Sequence, residues 1–396
     1  MNRVSALFLP LGRPLFLSIL CGLLAGLSAT LFLTSLQWIT SFRTTHLWLI
    51  GLLPLAGLGI GLMFHYYGKD VAYGTHLILD EIHDPKKIIP IHMAPFIFVS
   101  TLLTHLVGGS AGREGTAVQI GATLSDQLSR LFNIAPDDRK RLLMAGAGAG
   151  FGAAIGVPLA GAIFGMEVLY VGKLKVIALP ECLIASFTAT YTARFLGAPH
   201  TLYPHFYGQG LHLKSLLIVA VAGVLFGLAA RLFIILTHGV EKNMHRFITY
   251  PPLRPFLGGL ILAGAFYWEH SYRYVGLGLS VIIQAFHLPA SFLDPLYKIG
   301  FTAVTIGSGF KGGEFVPLIF IGTTLGSTLS IIVPGSLQLL ASVGFSAVFA
   351  AASNTPLACT VMAIELFGIG VWPYALVACF VGYYVSGHTS IYKGQR

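Results

Sequence analysis

Arg113 and Glu114 stand side by side in the glycine-rich stretch VGGSAGREGTAVQIGA (107–122), with apolar sequence on both sides. An ionisable side chain in such a setting is expensive and is a functional candidate by default. Its chemistry is narrow: a carboxylate holds a negative charge or takes up a proton. A second stretch, GFKGGEFVPLIFIGTTLG (309–326), also passes abruptly from glycines into apolar sequence. Each resembles a loop that opens a helix. A helix start leaves about four backbone N–H groups without intrahelical partners, and the macrodipole makes that end partly positive. Such an end binds anions, and glycine lets the backbone come close. Two starts meeting near the middle of a membrane would hold a small anion without a full positive charge, so that the ion also leaves.

Tethered beside that site, Glu114 competes with the anion when charged and stands aside when protonated. One residue would thus gate the path and carry a proton. In an apolar path desolvation disfavours its charge, whereas at the helix start the charge is favoured. Two plainer roles stand beside this one: a structural Arg113–Glu114 pair, or Glu114 capping its own helix. No nucleophile–base pair, metal cluster or cofactor motif accompanies Glu114. A transporter is therefore expected rather than an enzyme, with no cofactor.

The elements that must position these residues are membrane helices. Of 396 residues, 55% are hydrophobic and 10% charged, against about 25% charged in soluble domains. Mean hydropathy is +0.78. A spanning helix needs roughly 20 apolar residues, and runs of this kind recur at 14–36, 215–236 and 371–387. Apolar segments continue to the end, so the first is not a cleaved signal peptide alone. The 47 glycines suit helices that pack closely in lipid through small residues, as in AGAGAGFGAAIG (145–156). A loose dinucleotide-type match at Gly148–Ala153 lies in that stretch, with no strand before it. Four scattered cysteines suit buried apolar positions. The net charge of +9 fits basic cytoplasmic loops. Nucleic-acid binding would need a basic domain, and none is present.

The chain repeats internally. FGAAIGVPLAG (151–161) recurs as FAAASNTPLAC (349–359) at an offset of 198, and a glutamate follows each proline by nine residues, Glu167 and Glu365. GREGTAVQIGATLS (112–125) aligns with GEFVPLIFIGTTLG (313–326) at an offset of 201, placing Gly112 on Gly313 and Glu114 on Phe315. Two halves follow, about 1–200 and 201–396, in a single transmembrane domain. Transporters of this design place the substrate at the repeat interface, on broken helices. Packing or capping is expected of Glu167 and Glu365. The charged runs DEIHDPKK (80–87) and APDDRKR (135–141) are expected in solvated loops. His76 and His83 invite a metal reading, but no further ligand cluster supports it.

In these motifs the chain resembles the CLC chloride channels and anion/proton antiporters, over roughly residues 15–392. GREGT (112–116) is similar to the family's Gly-Lys/Arg-Glu-Gly-Pro motif, whose glutamate is the external gate. GEFVP (313–317) is similar to Gly-x-Phe-x-Pro, whose backbone amides hold the central anion. NTPLACTVMAIELFG (354–368) resembles the corresponding family helix, and SGHTSIY (386–392) places the inner-gate tyrosine at Tyr392. The resemblance implies an all-α, polytopic inverted repeat with many tilted and broken helices. It also implies a homodimer with one pore per subunit, multi-pass in the bacterial inner membrane. Glu114 becomes the gate and proton carrier. Thr75, Arg113, Gly115, Glu314, Phe315, Val316 and Tyr392 become anion-binding residues. The chain stops just after Tyr392, so no cytoplasmic regulatory domain is expected.

Three departures narrow the expectation. The family's Gly-Ser-Gly-x-Pro stretch reads YGTHLIL (73–79) here, with Thr75 standing for the serine and the proline gone. Thr116 replaces the proline of the gate motif. Val168 stands where chloride/proton antiporters carry an internal glutamate. These features resemble the bacterial fluoride-exporting branch, which exchanges fluoride for protons, although Phe315 is chloride-type. A chloride channel or chloride/proton antiporter of the same fold is the alternative.

Overall fold

The computed structural model describes residues 3–206, 210–270, 272–333 and 335–396, with side-chain surroundings from residue 12 onward. Helices order themselves twice over. The first half runs α1 (Arg3–Thr45), α2 (Leu53–Tyr67), α3 (Thr75–His83), α4 (Met93–Leu106), α5 (Glu114–Leu131), α6 (Pro136–Ile155), α7 (Pro158–Glu167) and α8 (Leu179–Phe195). The second runs α9 (Leu213–Phe247), α10 (Leu253–Glu269), α11 (Leu279–Gln284), α12 (Asp294–Gly307), α13 (Phe315–Ile332), α14 (Leu337–Ser353), α15 (Pro356–Phe367) and α16 (Trp372–Val385). Among the described residues there is no strand, only isolated β-bridges. Packing repeats with the order: α5 lies on α6 as α13 lies on α14, and α1 on α8 as α9 on α16. Between the halves, α2 packs on α10 and α7 on α15, and α5 touches α13.

Both long helices are apolar on two faces. In α1 the buried face carries Cys21, Ala25, Ala29 and Phe32, while Leu23, Leu27 and Leu31 stand exposed four residues apart. A helix apolar all round belongs in lipid. Leu217, Val221, Leu225 and Leu228 continue that outer surface on α9. Among the described residues, five helical segments are long and apolar enough to cross a membrane: Gly12–Thr45, Leu47–Tyr67, Val176–Phe195, Leu213–Phe247 and Phe315–Ile332. The apolar run at 371–387 behaves differently from the sequence expectation. It forms α16, 14 residues long and about 21 Å at 1.5 Å per residue, short of a hydrocarbon core of about 30 Å. The proline at its start and Gly387, with φ +73°, bound it.

Glycines set the distance between helices. A Cβ at Gly121 on α5 would stand 2.5 Å from the Gly146 carbonyl of α6. The repeat-equivalent pair, Gly322 of α13 and Gly344 of α14, is in similar contact. Both partners are backbone, so no side chain can give way. Gly121→Val is expected to lower unfolding stability in detergent by about 3 kcal/mol, the upper end of ordinary overpacking. Gly322→Val should do the same. A thermal midpoint unchanged in both would show that the helices are further apart than described. The dinucleotide-like match Gly148–Ala153 is interior helix of α6. All four cysteines are buried and free.

The charged runs depart from the expected loops. Glu81 on α3, Asp126 on α5 and Arg139 on α6 are all buried, and Arg139 bridges the two carboxylates. Arg139 donates from Nε to Asp126 Oδ1 (2.6 Å), from Nη2 to Asp126 Oδ2 (2.8 Å) and from Nη1 to Glu81 Oε2 (3.0 Å). The Ile89 amide donates to Asp126 Oδ2 at 2.7 Å. Within each run the other acidic residues, Asp80, Asp84, Asp137 and Asp138, are exposed. His76 pairs with Asp80 at 3.5 Å, and His83 Nε2 meets the Gly394 carbonyl at 3.2 Å.

Candidate functional site

The two glycine-rich helix starts meet. Gly112 N–H donates to the Gly313 carbonyl at 2.5 Å, and Gly313 N–H returns a bond to the Gly112 carbonyl at 2.8 Å. These are the residues that the internal repeat aligns with each other. A residue that pairs with its own repeat mate lies on the pseudo-two-fold axis relating the halves. Both positions need glycine: a Cβ at Gly112 would lie 2.8 Å from the Gly313 carbonyl, and one at Gly313 would lie 2.7 Å from the Gly115 nitrogen. α5 begins at Glu114 and α13 at Phe315, so the two positive ends diverge from one shared bridge.

Other repeat mates meet in the same way. The rings of Phe151 and Phe349 stack 6.0 Å apart at 14°. Glu167, at the end of α7, accepts from the Leu357 and Ala358 amides at 2.9 and 2.7 Å. Glu365, near the end of α15, accepts from the Leu159 and Ala160 amides at 2.9 and 2.8 Å. Each short helix thus has its N-terminus capped by the glutamate of the other. A carboxylate at a helix start satisfies orphan amides and complements the dipole. Capping is the role these glutamates play.

Glu114 is buried, with its carboxylate folded back onto its own helix start. Oε2 accepts from the Arg113 backbone N–H at 3.2 Å, and Oε1 accepts from Arg113 Nε at 3.2 Å. Arg113 Nη2 reaches Thr201 Oγ1 at 3.4 Å, in the link that leads towards the start of α9. Structural pairing and capping, the two plainer roles, both describe this conformation.

A cavity of about 810 Å³ opens on the side where α9 ends, and Thr75, Gln119, Lys311, Glu314 and Tyr392 line its inner part. Among the expected site residues, Thr75, Glu314 and Tyr392 share this cavity. Arg113, Glu114, Gly115, Phe315 and Val316 do not line it. Gly115 joins the two groups, since a Cβ there would stand 3.9 Å from Glu314 Oε2. Phe315 offers only its backbone to an ion. Its ring is buried edge-on against Phe349, at 4.7 Å and 82°. Thr116, the residue in the proline's place, hydrogen bonds Thr101 Oγ1 of α4 at 2.8 Å and is fully buried. Thr75 opens α3 after Gly74, whose φ of +56° suits glycine. Its hydroxyl accepts from Gln119 Nε2 at 3.1 Å, which leaves its proton to donate.

Gln119 and Lys311 are lining residues that the sequence reading did not single out. Gln119 lies five residues past Glu114, on the face of α5 turned to Thr75. Lys311 donates to the Ala72 carbonyl at 3.0 Å and sits 4.4 Å over the Phe64 ring. The signal for Lys311 was present, as a lysine within GFKGGEF, where an unpaired cation in apolar sequence is as costly as Glu114.

A pseudo-two-fold pair of helix starts, with a buried carboxylate on one of them and a mostly apolar cavity reaching Glu314 beside the other, defines a CLC-type anion channel or antiporter. The family model described as voltage gated chloride channel matches residues 56–387. The chain belongs to that family. A "Chloride/fluoride channel protein" of Pseudomonas syringae pv. tomato is 47% identical over 383 residues, 95% of this chain and 85% of that one. The "Voltage-gated ClC-type chloride channel ClcB" of Salmonella typhimurium is 28% identical, over 96% of this chain and 98% of its own. Among solved structures, that of a CLC-type fluoride/proton antiporter superposes with a TM-score of 0.94 at 34% identity, over 98% and 99% of the two chains. A slow cyanobacterial Cl−/H+ antiporter shares the fold, with a TM-score of 0.83 at 22% identity over 94% of each chain.

Proposed function

We propose that this protein is a fluoride/proton antiporter of the bacterial inner membrane, multi-pass and homodimeric, with Glu114 as gate and proton carrier. The observation that carries the proposal is the Glu114 carboxylate resting on the donors of its own helix start. Charged, it occupies the place of an anion. An incoming fluoride displaces it, and in the apolar path the displaced group favours its neutral, protonated form. Return of the side chain carries the proton across. Fluoride is small and strongly hydrated, so a site that strips its water must supply hard donors at close range. The Thr75 hydroxyl, the Tyr392 hydroxyl and the amides of Gly115, Phe315 and Val316 are of that kind. Thr116 contributes through its bond to α4, which fixes the first turn of α5, and not as a ligand. The likeness to a fluoride/proton antiporter across the chain supports the same reading. Val168 offers no second carboxyl for protons, which keeps the proton on the path of Glu114.

Purified protein in liposomes tests this. An inward fluoride gradient is expected to drive protons outward against a pH probe, and an equal chloride gradient to drive far fewer. Chloride driving protons equally well would make it a chloride/proton antiporter. A reversal potential indifferent to the pH gradient would make it a channel and remove the coupling.

A further inference from the structure

Residues after Tyr392 do more than follow it. Ile391 N–H donates to the Ala352 carbonyl at 2.9 Å, just before Tyr392. Three residues after Tyr392, the Gln395 carboxamide uses both of its N–H donors and its oxygen. Nε2 donates to the Ser353 carbonyl at 2.6 Å and to the Val168 carbonyl at 2.9 Å, and Oε1 accepts from Asn354 Nδ2 at 3.0 Å. Arg396 then pairs with the backbone beyond α7, donating to the Leu169 carbonyl at 3.3 Å and accepting from Val171 N–H at 3.0 Å.

The partners explain why a carboxamide stands there. Ser353 ends α14, and its carbonyl is left without a helical donor because Asn354 turns left-handed, at φ +55°, and Pro356 starts the next helix. The Val168 carbonyl follows the end of α7. Helix-end carbonyls are orphans that need donors, and one –NH₂ group serves two of them. These two ends belong to different halves of the repeat. Gln395 therefore ties the halves together directly beside Tyr392, whose ring meets the edge of Phe164 on α7 at 6.4 Å and 71°.

We propose that Gln395 is a positioning residue for transport: it holds Tyr392 at the inner end of the anion path and so sets the size of anion admitted. The proposal rests on the reading of the cavity as that path. With Gln395 in place, Tyr392 is fixed from both sides, at Ile391 and at Gln395. Without it, the side-chain links to Ser353, Asn354 and Val168 are lost, only main-chain bonds such as those at Ile391 and Arg396 hold the segment, and the passage beside Tyr392 widens.

The test compares Gln395→Leu, Tyr392→Ala and the double variant with the unaltered protein, in liposomes, by the ratio of chloride to fluoride flux. Gln395→Leu is expected to raise that ratio about tenfold, the scale of one lost buried hydrogen bond. In the Tyr392→Ala background the same change should add nothing, because the residue acts through Tyr392. Should Gln395→Leu fail to give monodisperse protein, Gln395→Glu keeps the shape and the contact to Asn354 but turns an acceptor on the two carbonyls; the same rise is expected. Hydrogen exchange of the peptide spanning 388–396 gives a readout free of transport, and it should quicken in either single Gln395 variant. An unchanged flux ratio with unchanged exchange, or a full additive effect in the double variant, overturns the proposal. Absence of fluoride transport in the unaltered protein would count against the function proposed above, and exchange would still decide the role of Gln395.

Discussion

Glu114→Gln is expected to cut fluoride-driven proton movement by about two orders of magnitude or more, on the scale of losing one positioned proton-transfer group, while anion flux persists. Glutamine keeps the size of the side chain and can still rest near Arg113. It cannot carry a proton, and it cannot match a charged carboxylate in competing for the amides at the start of α5. The gate is then permanently weak. Flux should also lose its dependence on pH, since the titrating group on the path is gone. Parallel proton and fluoride assays on the same vesicles check both parts. Persistence of coupled proton movement in this variant would shift the carrier role to another carboxyl, and Glu314, beside Gly115 at the cavity wall, would be the one to substitute next.

Arg139→Met is the second large effect, and it acts on stability. Arg139 is the single cation between the buried carboxylates of Asp126 and Glu81, and it also donates to the Lys87 carbonyl at 2.6 Å. Removing one partner of a buried ionic cluster leaves uncompensated charge and costs about 3–5 kcal/mol. Methionine fills much of the volume, so the loss would report charge and not a cavity. Thermal unfolding in detergent should show a large fall, and transport should fall with it, because the cluster ties α3, which begins at Thr75, to α5, which begins at Glu114. Adding Glu81→Gln and Asp126→Asn to Arg139→Met is expected to restore part of the stability. A fall within about 0.5 kcal/mol, the scale of ordinary surface substitutions, would show that water reaches the cluster.

Much of this molecule is legible without coordinates, and for local reasons. Apolar runs report spanning helices because lipid offers no hydrogen bonds to the backbone. Repeat similarity reports two equivalent halves because it compares residue types along the chain. A carboxylate among glycines announces itself by its cost. Thus the pairing of 112–125 with 313–326, the broken helices and the candidacy of Glu114 could all be read in advance. The meeting of Gly112 with Gly313 could not, since alignment says that two residues are alike and not that they touch.

Contacts between distant residues were decided by closure of the fold. Glu167 caps α15 and Glu365 caps α7 only because those helices lie against each other in space, with nearly two hundred residues between partners. Charge alone placed Glu81 and Arg139 in solvated loops; burial reversed that, because helix periodicity turns one residue of a charged run inward while its neighbours face water. Phe315, expected to act through its backbone, and Thr116, noted for replacing a proline, both turn their side chains into packing. Gln395, which no motif marked, satisfies helix ends from both halves at once. Types and periodicity are properties of neighbours in the chain, whereas hydrogen-bond partnership at helix ends is a property of neighbours in space, and the candidate site of this protein is built from the second kind.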